Sequence, residues 1–400
     1  MVRLLGLLLL LLFAAAPASA DERPLVVLVS IDGFRTDFLD RGITPVLSQL
    51  AAEGARGTMR PSFPSKTFPN HYTLVTGLRP DRNGIVENNM VDAAIPDVTF
   101  KMSNREAVRD RRWWDEAEPI WTTAERAGII TAPVFWPGSE APIRGVRPHY
   151  TLPFEFTTPS GWRVDLALSL LDQPTARRPR FLTVYFDVVD TVGHERGPDS
   201  PELDAALRAV DTEIGRLVEG LKARGLTANL VIVSDHGMAA LSEDRKRYID
   251  DVLPKDAYRM LTGGAFMTIY PNPGREAEVD RALIALHDGF QCWRKGEFPG
   301  RFRYGRNARV APYFCLADTG WTLTTRDYRP PKPEHGNHGF DPASAEMAAV
   351  FVAHGPAFRR GVRLPDFDNV NVYPLLARLL GIAPRPNDGT LEVLQPALAP

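Results

Sequence analysis

The chain has little of several things. Only two of its 400 residues are cysteine, Cys292 and Cys315. Two thiols cannot furnish a zinc-finger set, so a metal held here has to use Asp and His. The formal net charge is -2, which gives none of the basic excess that nucleic-acid or anionic-membrane binding calls for. A stable nucleic-acid complex is therefore not expected. After the first twenty residues no apolar stretch approaches the ~20 residues of a membrane helix, and no internal repeat or low-complexity segment occurs. With 44% hydrophobic and 24% charged residues, the composition is that of an ordinary globular protein.

What is there begins with a leader. Residues 1–20 carry Arg3, an apolar run to Phe13 and small residues at Ala18 and Ala20 before a polar start at Asp21. That pattern reads as a secretory signal peptide, and it predicts an exported protein, periplasmic or secreted. In an oxidising compartment the two cysteines are expected to pair as a Cys292–Cys315 disulfide.

Past the leader, LVVLVSI (residues 25–31), FLTVYF (181–186) and NLVIVS (229–234) are short apolar runs rich in β-branched residues. They read as buried parallel strands. IITAPVFW (129–136) and AAVFV (348–352) extend the same sheet. Thr44 and Pro45 begin a helix closed at Gly54. The residues Leu203, Leu207, Val210, Ile214, Leu217 and Leu221 step at the amphipathic period after Ser200 and Pro201. The expected fold is α/β, a central mostly parallel sheet flanked by helices, in one domain over residues 21–400. Residues 250–330 change character and read as an insertion or sheet extension, with a strand at AFMTIY and a helix from Gly274 to His287. Trp113, Trp114, Trp121 and Trp136 mark an irregular region that either borders the substrate or packs a loop down.

Chemistry collects at the strand ends. SKTFPNHYTLVTG (65–77) predicts a short helix with Thr67 at its N-cap, where free N–H groups and the dipole suit a phosphoryl anion. The segment alone is equally an ordinary helix start. Asp32 follows the first strand, Asp190 and His194 fall in DTVGH, Asp235 and His236 in SDHG, and His338 in GNHGFD. Gly193 is read as a turn that lets Asp190 and His194 converge. Two three-ligand sets suggest themselves: Asp190, His194 and His338; and Asp32, Asp235 and His236 with the Thr67 oxygen added. Such sets suit two zinc ions that keep positions open for substrate oxygens. His71, His149, His287, His335 and His354 are read as structural, with His335 the nearest competitor to His338.

SIDGFR (30–35), FPSKTFPNHYTLVTG (63–77), DTVGHERGP (190–198), SDHGM (234–238) and GNHGFD (336–341), in this order over nearly the whole mature chain, resemble the nucleotide pyrophosphatase/phosphodiesterases of the alkaline phosphatase superfamily. The chain is similar to a minimal, bacterial-looking version without the extra domains of many members. Asn83 stands where the family often has His. The resemblance implies an alkaline phosphatase-like fold and a covalent intermediate on Thr67, with Asn88 holding a non-bridging phosphate oxygen and Phe68 and Tyr185 flanking a base. It implies hydrolysis of nucleotide phosphodiesters and pyrophosphates to nucleoside 5′-monophosphates. Two alternatives stand beside it: a glycerophosphodiester or choline phosphodiesterase, and a zinc-stabilised binding protein in which Thr67 only starts a helix.

Overall fold

The computed structural model describes residues 24–329 and 332–400; the expected leader lies outside them. Leu25–Ile31 is an interior strand of the main sheet. It pairs in parallel with Phe181–Phe186 on one side and Ala228–Val233 on the other. Every residue of this strand is buried, so alternate side chains serve two cores. Val27, Val29 and Ile31 pack with Leu47, Leu203 and Leu207, while Val26 and Leu28 pack with Tyr72, Leu74 and the apolar residues of Val372–Leu380. A continuous apolar run is what burial on both faces requires.

The parallel order does not persist across the sheet. Ala349–His354 runs antiparallel to both Ala228–Val233 and Ala55–Arg60. On the other side, only Thr131–Ala132 of the expected strand at 129–136 pairs with Phe181–Phe186. Phe135 adopts φ 60 a few residues later, which ends extended pairing.

The helix Pro45–Glu53 forms where expected, but Thr44 does not cap it: its hydroxyl is buried without a partner. The cap comes from another helix. Asp211, within Pro201–Ala223, accepts the N–H groups of Val46 at 3.0 Å and Leu47 at 2.8 Å. Ser200 caps its own helix through the Leu203 N–H at 3.1 Å. The four tryptophans are buried, and they pack the irregular region down. The carbonyl of Trp114 accepts the Tyr72 hydroxyl at 2.7 Å, and Trp136 donates to the carbonyl of His71 at 3.1 Å.

Within the expected insertion, Tyr258–Thr262, Phe266–Pro271, Tyr313–Ala317 and Phe290–Arg294 form a separate antiparallel sheet in that order. The expected helix is shorter, Glu276–Leu283. Cys292 and Cys315 stand directly opposite on neighbouring strands and are disulfide-bonded. An aromatic cluster docks this sheet onto the main body: Phe63, four residues before Thr67, stacks on Phe302 at 4.3 Å and meets Tyr304 and Phe314 at 5.2 Å. Among the described residues, no helix is long and apolar enough to cross a membrane.

Candidate active site

The helix carrying the candidate nucleophile spans Thr67–Thr76, so Lys66 is the N-cap and Thr67 the first helical residue, one position further in than the sequence suggests. Pro69 has no N–H to offer, and the Phe68 N–H is taken by the Asn88 side-chain oxygen at 2.9 Å. That leaves the Thr67 N–H as the unengaged donor of the first turn, a narrower anion cradle than a bare helix start would give. The helix is buried along nearly its whole length, which fixes Thr67. Gly77 ends it in the left-handed conformation (φ 66), where an added Cβ would lie 2.8 Å from Tyr373.

Four further segments converge around Thr67. Its hydroxyl lies 3.4 Å from His236 Nε2. The same nitrogen is 3.4 Å from an oxygen of Asp32 and 2.9 Å from one of Asp235. Asp190 and His194 sit one turn apart within the helix Val188–Arg196, so helical spacing, not a turn at Gly193, aligns them. Gly193 serves close packing instead: a Cβ there would meet Met238 at 2.9 Å. Gly33 has a related task, since a Cβ would come within 3.0 Å of the Asp190 backbone. Asp190 Oδ1 faces His194 Nε2 at 3.5 Å and His338 Nε2 at 3.4 Å. The rings of His236 and His338 stack at 3.5 Å.

These residues fit cations on two counts. Asp32 Oδ1, Asp190 Oδ1 and Asp235 Oδ2 are buried without a hydrogen-bond partner, an expensive condition unless a cation completes them. The histidines supply the second count. Nδ1 of His194, His236 and His338 each contacts a backbone carbonyl, of Gly336, Gly237 and Ser65, at 2.9 Å. A carbonyl only accepts, so each Nδ1 carries the proton and each Nε2 presents a lone pair to the carboxylates. His71, although close to Asp32 and Asp235, is different. Its Nδ1 donates to the Thr67 carbonyl at 2.9 Å and its Nε2 meets the Ser30 hydroxyl at 2.8 Å, so both ring nitrogens are engaged. His335 is exposed.

Electrostatics agree with the geometry. Burial, then the charges of Asp235 and Asp190, pushes the Asp32 carboxyl well above the usual range. Burial, then His236, Lys66 and His194, holds His338 well below the ordinary imidazole value. With Asp32, Asp235, His236 and His338 buried and the partly exposed Asp190 and His194 beside them, the three clustered carboxylates favour positive charge.

Tyr185 and Glu87 have tasks that the sequence does not reveal. The Tyr185 hydroxyl donates to Asp32 Oδ2 at 2.6 Å, and burial with the nearby Asp32 charge keeps that hydroxyl protonated. Its ring is only 7% exposed, against His71 and Phe154, while Phe68 is half-buried beside Phe100 and Trp114. Asn83 holds the turn before Asn88, donating to the Leu78 carbonyl at 2.8 Å and accepting the Ile85 N–H at 2.9 Å. Lys66, Glu87, Asn88 and His194 line a cleft of about 720 Å³ whose outer wall is the insertion. No periodicity marks Glu87; adjacency to Asn88 is its one sequence signal.

A mixed sheet with parallel strands at the site, together with this Asp and His cluster beside a helix-borne threonine, defines an alkaline phosphatase-like α/β fold. Residues 26–341 match the family described as type I phosphodiesterase / nucleotide pyrophosphatase, and the chain belongs to it. It is 38% identical over 389 residues to an uncharacterised pyrophosphatase/phosphodiesterase of Schizosaccharomyces pombe, covering 92% of this chain and 79% of that protein. The solved structure of murine ectonucleotide pyrophosphatase/phosphodiesterase 5 superposes with a TM-score of 0.89 at 34% identity, over 94% of this chain and 100% of that one. An inactive form of the murine protein, with one threonine changed to alanine, was solved in complex with AMP; it superposes with a TM-score of 0.88 at 34% identity, covering the same shares of both chains.

Proposed function

We propose that this enzyme cleaves nucleotide phosphodiesters and pyrophosphates at a two-zinc site through Thr67, releasing nucleoside 5′-monophosphates outside the cytoplasm. The observation that carries the reading is the Thr67 hydroxyl, buried at a helix start and 3.4 Å from His236 within a cluster of unsatisfied carboxylates. Asp190, His194 and His338 would hold one ion, and Asp32, Asp235 and His236 the other, with the Thr67 oxygen beside it. Divalent cations bound there supply positive charge that offsets the phosphate oxygens and favours the threonine alkoxide.

The Thr67 hydroxyl gives up its proton and its oxygen attacks phosphorus; the bond to the leaving oxygen breaks, that oxygen takes up a proton where it needs one, and a phospho-threonine forms. Water then attacks the same phosphorus, the bond from phosphorus to the Thr67 oxygen breaks, and one water proton restores the threonine hydroxyl. Asn88, whose side-chain oxygen is spent on the Phe68 N–H, has its NH2 group left to donate to a non-bridging oxygen. Phe68 offers a half-open ring to a base, and Tyr185 orients Asp32 in addition to whatever edge it presents to substrate. The AMP bound to the inactivated murine relative supports nucleotides as the substrate class, and the leader and the disulfide support export.

The test compares hydrolysis of p-nitrophenyl thymidine 5′-monophosphate with that of p-nitrophenyl phosphate, with a Thr67→Ala control. The reading expects a diester rate far above the monoester rate, lowered at least about 10³-fold in Thr67→Ala without loss of fold. Activity that survives the substitution, or a preference for the monoester, sinks it.

A further inference from the structure

Glu87 is 2% exposed, and one of its carboxylate oxygens, Oε1, is buried without a partner. The other oxygen is tied twice. It accepts the Thr262 hydroxyl at 2.6 Å and the Asn89 N–H at 2.9 Å. Asn89 reaches back, its side-chain nitrogen 3.4 Å from the Thr262 hydroxyl. Asn88 therefore sits between two fixed points, Glu87 bound to the insertion and its own oxygen bound to the first turn of the nucleophile helix at 2.9 Å.

The insertion is shaped to make this bond. The pairing of Tyr258–Thr262 with Phe266–Pro271 shifts register between Met260 and Thr262, a bulge that re-aims the side chain following it. Gly263 and Gly264 follow at once, the latter at φ 119. An edge strand that served only to cover the main sheet would need neither the bulge nor a buried carboxylate at its tip.

We infer that Thr262 and Glu87 form a clamp through which residues 250–328 position Asn88 against the phosphoryl group. Both are positioning residues: neither touches the reacting atoms. The inference rests on the reading of Asn88 given above. It makes the insertion part of the catalytic apparatus, and it ties turnover to a hydrogen bond between the loop that carries Asn88 and the insertion's sheet.

The experiment measures kcat and KM for p-nitrophenyl thymidine 5′-monophosphate in Thr262→Val and Glu87→Ala, each in the native and the Asn88→Ala background. Loss of the clamp lets the carboxamide drift, and a displacement on the order of 1 Å is enough to lower kcat roughly tenfold or more. KM should stay within about twofold, because ground-state binding is not what is lost. Thr262→Ser and Glu87→Gln keep a donor and an acceptor and should restore kcat. In the Asn88→Ala background neither truncation should lower kcat further. Equal losses in both backgrounds, or a loss of thermal stability with kcat intact, would overturn the clamp. If Asn88→Ala costs rate while Thr262→Val does not, the clamp alone fails; if Asn88→Ala is itself silent, the reading of Asn88 falls and takes the clamp with it. Should one truncation not fold, the other cuts the same bond.

Discussion

Two groups of buried carboxylates show how differently a fold can use the same chemical group. Asp211 is 3% exposed, and each of its oxygens accepts a backbone N–H at the start of a neighbouring helix. Asp32, Asp190 and Asp235 lie at the sheet's carboxyl edge, each with one buried oxygen that nothing fills. Burial alone therefore does not mark a functional acid. What separates the two is satisfaction: Asp211 is complete within the chain, and the cluster is complete only with something added.

The comparison breaks most visibly at the cluster. Asp32→Asn or Asp235→Asn should lower diesterase activity by at least about a hundredfold, as loss of a charged ligand does, and chelation of the native protein should match it. In the metal-stripped protein Asp32→Asn should raise the melting temperature, because burial and the charges of Asp235 and Asp190 disfavour the ionised form of that carboxyl. Calorimetry of stripped protein checks this. A lower melting temperature would mean that the carboxylates stabilise the fold by themselves, and the distinction from Asp211 would be lost.

Glu87 lies between the two cases, with one oxygen filled and one empty, and it sharpens the contrast through pH. Burial pushes its carboxyl up to about 7, a shift that the Thr262 bond and the Lys66 charge only partly offset. A folded-state value above the unfolded value near 4.5 means that the folded form prefers the neutral acid. Its contribution to stability is fully present below pH 4.5 and is lost as pH rises through about 7. At pH 8 the ionised group costs on the order of 3 kcal/mol. Glu87→Gln should recover much of that in urea unfolding at pH 8 and nothing at pH 4.5. A gain that does not depend on pH would show that the carboxylate is not held neutral by the fold.

Much of this organisation is legible in the residues. The three continuous apolar strands announce a sheet buried on both faces, because only such a strand has no polar alternation. Asp32, Asp235 and His236 follow strands directly, where chain direction alone delivers them to one edge. Other features depend on partners far away in sequence. DTVGH reads as a turn because of its glycine, yet it is a helix whose glycine admits Met238. Thr44 looks like a cap, but a carboxylate 167 positions later occupies that place, as the bonds of Asp211 to Val46 and Leu47 show. The bond between Tyr185 and Asp32, and that between Glu87 and Thr262, join residues 153 and 175 apart. Local pattern carries no trace of either.

The smallest effect is the one that separates the two groups by sign. In Asp211→Asn the carboxamide can accept through its oxygen alone, so its NH2 group is turned toward a helix N–H and one donor loses its partner. An unsatisfied buried donor, together with the loss of a charge-assisted cap, should destabilise the protein by about 2 kcal/mol. The diesterase kcat should not move, since both Asp211 oxygens bond to the start of the helix Pro45–Glu53. The same change from Asp to Asn thus lowers stability at position 211 and raises it, in stripped protein, at position 32. Chemical denaturation of the two variants side by side measures both signs. If both shift in one direction, hydrogen-bond satisfaction does not distinguish structural from functional carboxylates in this fold.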